Sequence, residues 1–252
     1  MTKVGVIGAA GKMGSLACTT IEQADGLDLV ARVDEGDALS DLTDAGVEVA
    51  VDYTHPGVVM DHISWCIDHG IHLVVGTSGF TDERLADVER QLGPDPSVAV
   101  LVVPNFSIGA VLMMRFAAEA ARFFESAEIV ELHHPTKKDA PSGTSIRTAQ
   151  LIAAARAEAG LEPMPDATVD NPVGARGGTV EGVPVHSVRA RGLVAHQEVI
   201  LGNLGETLTI RHDMPDRIAA MPALVTAVQA VVDMRGLVVG LERVLGLPDR
   251  GT

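Results

Sequence analysis

The chain has 252 residues, 46% hydrophobic, 21% charged and 3% aromatic, with a net charge of -15. This balance excludes intrinsic disorder, and the acidic surplus excludes general binding to nucleic acid or anionic membrane. No apolar run reaches the ~20 residues of a membrane span, so the expectation is a soluble cytoplasmic protein of one large domain or two small ones.

Taken in chain order, Val4–Ile7 reads as a buried strand that begins at once, without a signal-peptide layout. Lys12–Gln23 reads as a helix and Leu27–Val33 as the next strand. Val47–Val51, His72–Val75 and Val98–Val103 are further strands, with helices near Pro56–His69 and over Asp82–Leu92. Short apolar strands alternating with helices predict an α/β, doubly wound parallel sheet. Ile108–Phe124 reads as a long apolar helix, and then the pattern becomes α+β. Ile129–Leu132 is a strand, Ser142 to about Ala159 a helix stopped by Gly160, and residues 160–182 a long Pro/Gly-rich loop. Val183–Ala190 reads as a strand, and His196–Leu201 with Glu206–Arg211 as an antiparallel hairpin. Pro215–Arg235 reads as a helix, after which Leu237–Leu245 can pack back on the first domain. Cys18 and Cys66 lie in apolar helical contexts outside any metal-spaced motif; buried reduced thiols are the first reading and a disulfide the second.

The turn Gly8-Ala9-Ala10-Gly11-Lys12-Met13-Gly14 follows a strand and opens a helix. Glycines there permit close approach of a pyrophosphate, whose charge the N–H groups of the helix start would meet. The spacing is GxxGxxG, and its context strengthens it: Asp34 ends the second strand 20 residues past Gly14. Asp34 can bond both ribose hydroxyls and repel a 2′-phosphate, while Arg32 and Lys12 soften that bias. The expectation is use of both NADH and NADPH, with NADH at least as good. Lys12 reads equally as a phosphate contact or a solvated helix-start residue. Gly76-Thr77-Ser78 and Val103-Pro104-Asn105-Phe106 fall at carboxyl ends of strands and can line the nicotinamide site, or serve as plain βα turns.

Residues 131–144 concentrate the chemistry: His133, His134, Lys137, Lys138, Asp139 and the Ser142-Gly143-Thr144 turn. Histidine suits proton transfer near neutrality. The lysines can neutralise carboxylates, and the N–H groups opening a helix make an anion nest. Adjacent strand residues point to opposite faces, so His133 and His134 do not share one task. Asp139 pairs with a lysine or caps the turn, and Ser142 reads as a ligand contact or an N-cap. A metal site is disfavoured, because no third ligand falls at metal spacing. His186, His196 and His212 are further candidates that read first as ordinary sheet residues, with Arg211-His212 at a strand end open to a structural or carboxylate role.

The run Glu-Leu-His-His-Pro-x-Lys-x-Asp-Ala-Pro-Ser-Gly-Thr resembles the signature of dihydrodipicolinate reductase, also called 4-hydroxy-tetrahydrodipicolinate reductase. The resemblance spans essentially the whole chain and includes GAAGKMG (8–14), GTSGF (76–80), VPNFSIGA (103–110) and GETLTIRHD (205–213). It implies a Rossmann-like dinucleotide-binding domain of residues 1–106 and 215–252. An α+β substrate and tetramerisation domain of residues 107–214 with an open mixed sheet completes it. It further implies reduction of a small cyclic dicarboxylate by NADH or NADPH with loss of water, in diaminopimelate and lysine synthesis, by a homotetramer. His133 matches the proton donor/acceptor and Lys137 the assigned proton donor; His134, Gly143 and Thr144 match substrate contacts, with the Ser142 N–H beside them in the anion nest. Ala10 in the turn and Glu35 after Asp34 add no positive charge for a 2′-phosphate. The rival readings are another two-domain dehydrogenase, acting on an aldehyde or an amino acid, of which the aldehyde-acting kind would want a nucleophilic cysteine, and a nucleotide-sensing protein without turnover.

Overall fold

The computed structural model of the chain describes residues 1–248. The chain forms two compact units, one from Met1–Ser107 with the chain from Arg217 on, the other Ile108–Asp216.

The first unit is built on β1 (Thr2–Ile7), β2 (Leu27–Val33), β3 (Val49–Asp52), β4 (His72–Val75), β5 (Ala99–Val102) and β11 (Gly236–Val239). They run in the order β11-β5-β4-β3-β1-β2, and every neighbouring pair is parallel. The central strands β3 and β5 are buried at every residue. Parallel strands covered on both faces read as continuous apolar runs rather than alternating ones, which is why VAVD and AVLV are legible as strands. Helices α1 (Lys12–Gln23), α3 (Val59–Asp68), α4 (Asp82–Leu92) and α7 (Met221–Val231) accompany the sheet. The order reverses between β1 and β3, the switch point at which such sheets leave a crevice beyond the strand ends. This is the Rossmann-like sheet expected, with three differences. A short α2 (Ser40–Asp44) buries Leu42. The segment expected as one helix from Pro215 to Arg235 divides into a 3-10 turn, Arg217–Ala220, and α7. Gly236, at φ +78, then turns the chain into β11, a sixth strand beside β5.

The second unit carries α5 (Ile108–Ala121), α6 (Gly143–Glu158) and a mixed sheet of β6 (Ser126–His133), β7 (Gly178–Val180), β8 (Val183–Arg189), β9 (Ala195–Asn203) and β10 (Glu206–Met214). The order is β10-β9-β6-β8-β7; only β6 and β8 are parallel. β7 is a strand inside the segment expected as loop, a three-residue edge on β8. Alternation of period two decides the layers. Ala127, Ile129, Val185, Val199 and Leu201 face Ala117 and Ala121 of α5 and Ala149 and Ile152 of α6. Alanines on both helices let them lie close to the sheet, and α5 and α6 also pack on each other.

Candidate active site

The face that α5 and α6 cover changes character along β6. Ala127 and Ile129 are apolar core, and the next residues of the same parity are Glu131 and His133. Their sheet partners are Ser187 and Arg189 on β8 and Gln197 on β9, so one face gathers five polar side chains at its end. Glu131 is fully buried. A buried carboxylate must be paired and hydrogen-bonded, and this one takes a two-pronged grip from Arg189. Nη1 donates to Oε2 at 2.9 Å and Nη2 to Oε1 at 2.8 Å. Oε2 also bonds Nδ1 of His133. Burial pushes the Glu131 carboxyl up, but the bonds from His133, Arg189 and Ser187 outweigh it and hold it down at about 2. An ionised Glu131 makes His133 carry its proton on Nδ1, which leaves Nε2 as the working nitrogen. Arg189 Nη2 also donates to the Asp139 carbonyl at 2.7 Å, tying the loop after β6 to the same cation.

That loop places Lys137 with Nζ 2.8 and 2.9 Å from the two Asp139 carboxylate oxygens. Lys137 holds the Asp139 carboxyl below the usual range. Lys138 is exposed. His134 lies one residue past β6, its Nδ1 2.8 Å from the Thr136 hydroxyl, away from the Glu131 pair. Ser142 is the N-cap of α6: its Oγ accepts the Ser145 N–H at 3.2 Å, and the side chain is buried. Its hydroxyl therefore serves the helix. Gly143, exposed, and Thr144 open the helix, where N–H groups attract an anion. Beneath them Ser145 Oγ donates to Gln197 Oε1 at 2.7 Å and Gln197 Nε2 to Thr148 Oγ1 at 2.8 Å, pinning the helix start to β9.

In the first unit the turn after β1 is tight. Gly8 has φ +80, and a Cβ on Gly14 would lie 2.0 Å from the Gly8 carbonyl oxygen. Only glycine fits either place, and α1 begins at Lys12, so the cradle suits a pyrophosphate. Ala9 and Ala10 border it, Lys12 is exposed and Met13 half-buried. The Asp34 carboxylate reaches over the turn: it accepts the N–H of Ala10 and the N–H of Glu35, which hold its carboxyl below the usual range. Arg32 is engaged with Glu22 on α1 rather than with the turn. Gly76, Thr77 and Ser78 follow β4; Val103, Pro104, Asn105 and Phe106 follow β5, with Asn105 Oδ1 accepting the Ser107 N–H at 2.8 Å. The Thr77 side chain is buried, so this loop presents backbone rather than that hydroxyl.

The other histidines of the second unit, His186, His196 and His212, are sheet residues with carboxylate or packing partners. His186 Nε2 is 2.6 Å from Glu128, which Arg176 also grips at 2.7 Å. His196 pairs with Asp213 at 2.8 Å. His212 lies against Gly109 of α5, and burial lowers its pKa. Arg211 is taken by Asp213 and Glu198. No group of three or more metal-ligating side chains occurs among the described residues. Sequence reasoning passed over Glu131, Arg189 and Asp52. The signal for Glu131 was a charged residue at an inward position of an apolar strand, two residues before a histidine; nothing local marks Arg189, which arrives from β8.

Family models for dihydrodipicolinate reductase match residues 2–106, its N-terminal part, and residues 109–245, its C-terminal part. The chain is 58% identical to the 4-hydroxy-tetrahydrodipicolinate reductase of Streptomyces griseus, covering 97% of this chain and 98% of that one. It is 59% identical to that of Cutibacterium acnes, covering 98% and 100%. Its fold is similar to a dihydrodipicolinate reductase from Paenisporosarcina sp. TG-14 solved with dipicolinate bound. That comparison has a TM-score of 0.84 and 36% identity, covering 96% of this chain and 99% of that one. With the motifs in order and both halves matched, the chain belongs to the dihydrodipicolinate reductase family.

Proposed function

We propose that the chain reduces 4-hydroxy-tetrahydrodipicolinate to tetrahydrodipicolinate with loss of water, using NADH or NADPH, in diaminopimelate and lysine synthesis. The observation that carries this reading is His133, fixed through Nδ1 by the ionised Glu131–Arg189 pair and followed within four residues by Lys137. A reduced nicotinamide, when bound, supplies the hydride. The residues that would hold it are Gly8 to Gly14, Asp34, Gly76 to Ser78 and Val103 to Phe106. As an imidazolium, His133 delivers its Nε2 proton to quench charge left on the ring, as general acids do, and keeps its Nδ1 proton toward Glu131. Net, one hydride and one proton enter and one water leaves. Lys137 and the start of α6 at Gly143 and Thr144 neutralise the two carboxylates of the substrate, with His134 at the rim. Dipicolinate, held by the Paenisporosarcina protein, is such a cyclic dicarboxylate.

Asp34 adds negative charge where a 2′-phosphate would sit, and Arg32 is occupied by Glu22. Lys12 is the cation left at the turn, so both cofactors serve, NADH at least as well. A cysteine nucleophile is disfavoured: burial pushes the Cys66 thiol up to about 12, and the nucleophilic form is the thiolate. Domain roles follow the two units, the first for the cofactor, the second for substrate and assembly. A homotetramer is supported by the second sheet, whose face opposite α5 and α6 bears Val130, Leu132, Val188 and Ile200 among ion pairs.

The test is oxidation of NADH and of NADPH with substrate made in situ from pyruvate and aspartate semialdehyde by the preceding synthase. Rapid oxidation dependent on both proteins is expected, at NADH rates no lower than NADPH rates. Binding of NADH without oxidation would favour the nucleotide-sensing alternative.

A further inference from the structure

Asp52, the last residue of β3, is fully buried and ionisable, and the reading above gives it no task. Its carboxylate is saturated. Oδ1 accepts the Thr54 N–H at 3.0 Å, the Thr54 hydroxyl at 2.7 Å and the Thr77 hydroxyl at 2.6 Å; Oδ2 bonds His62 Nδ1 on α3 at 2.7 Å. The Thr77 Oγ1 in turn accepts the Thr54 N–H at 2.9 Å. A carboxylate removed from water costs several kcal/mol unless it is compensated in this way. A core that needed only apolar packing would gain nothing by placing one here. All its partners except His62 lie just beyond the carboxyl ends of β3 and β4, where sheets of this type hold ligands.

The cluster also reaches the glycine turn. The Tyr53 carbonyl oxygen would stand 2.7 Å from a Cβ on Gly8, and the Tyr53 ring lies against Gly76 and 5.8 Å from the ring of Phe106. Asp52 itself ties together the two loops that follow β3 and β4, through Thr54 and Thr77, while contact with the glycine turn is made by Tyr53. Because Asp52 takes the Thr77 hydroxyl inward, it sets the backbone of Gly76, Thr77 and Ser78 in one orientation.

We infer that Asp52, backed by His62, is a positioning residue for the nicotinamide end of the cofactor, acting through the Thr77 hydroxyl on the backbone of residues 76–78. This rests on the proposed cofactor site. Asp52 touches neither cofactor nor substrate and does not act on the pyrophosphate cradle. The consequence is a split that a merely structural residue would not produce: NADH binding depends on Asp52, and binding of a fragment lacking the nicotinamide does not.

The experiment measures Kd for NADH and for ADP-ribose, with the thermal midpoint, on the full chain and on Asp52→Asn, Thr77→Val and Thr77→Ser. NADH affinity falls about tenfold in Asp52→Asn and Thr77→Val, the scale of one lost hydrogen bond to a charged group. ADP-ribose affinity stays within about twofold, and Thr77→Ser, which keeps the hydroxyl, binds NADH like the unaltered chain. KM for NADH rises in step while KM for the dicarboxylate holds. Equal losses for both ligands, or unchanged NADH affinity, overturn the inference. If Asp52→Asn does not fold, the Thr77→Val and Thr77→Ser pair decides alone. Failure of the unaltered chain to bind NADH overturns the cofactor reading first, before any substitution is made, and this inference with it.

Discussion

Asp52 in the first unit and Glu131 in the second are both fully buried carboxylates bonded to a histidine, yet they keep different company. Around Asp52 the remaining donors are neutral threonine groups, and its strand, like β5, is buried at every residue. Side chains in such strands have no exposed face to work from, which leaves the loop backbone past the strand ends, and the inferred task of the buried acid is to hold that backbone. Around Glu131 a guanidinium joins the Ser187 hydroxyl as donor, and the sheet face itself turns from core to polar within two residues. There the buried acid holds a side chain, His133, to which the proposed reaction assigns the proton transfer. On the proposed readings, one kind of group presents geometry in the first unit and tunes a proton in the second.

Substitutions in the second unit sharpen this contrast if they change turnover and leave NADH binding alone. The largest effect is expected for His133→Ala, a fall in kcat of roughly 10²–10³-fold, the usual contribution of a general acid. NADH affinity measured by fluorescence titration is expected to be unchanged; an undiminished kcat would remove His133 from the reaction.

Glu131→Gln comes next, with kcat down about tenfold as His133 loses its charged partner. It also carries a pH signature. The folded carboxyl sits at about 2, below its unfolded value of 4.5, so its stability is fully present above about pH 4.5 and is lost as pH falls toward 2. The difference corresponds to about 3 kcal/mol. Acid unfolding followed by circular dichroism is expected to be less steep over that window in Glu131→Gln than in the unaltered chain.

Lys137→Ala is expected to lower kcat/KM for the dicarboxylate by about tenfold, the scale of a lost charge-assisted contact, in initial-rate assays at saturating NADH. Asp139→Asn gives the smallest effect and the opposite sign. Lys137 now gives both its short contacts to Asp139, a pair at the loop surface worth less than about 1 kcal/mol. Releasing it is expected to lower KM about twofold. A rise in KM instead would mean that the pair orients Lys137 rather than competing for it.

Local signals carried the parallel sheet, the glycine turn and the His/Lys loop, because each is written in contiguous residues. Continuous apolar runs such as VAVD and AVLV mark doubly covered strands, and glycine is required where Gly8 and Gly14 nearly touch. The period-two pattern of β6 even displayed the anomaly of Glu131 on an inward position. Other features depended on chain segments distant in sequence. Arg189 meets Glu131 across 58 residues and Gln197 meets Ser145 across 52. Thr77 turns its hydroxyl inward only because Asp52, 25 residues earlier, ends the adjacent strand. The segment after Arg235, expected only to pack back on the first domain, becomes a strand because β5 offers an edge to pair with. The sequence by itself determined which segments become strands and helices and where ionisable groups cluster, since propensity and periodicity act over a few residues. Only the tertiary structure decided which of those groups are partners, because burial and hydrogen bonding across strands choose the neighbours that set charge and orientation.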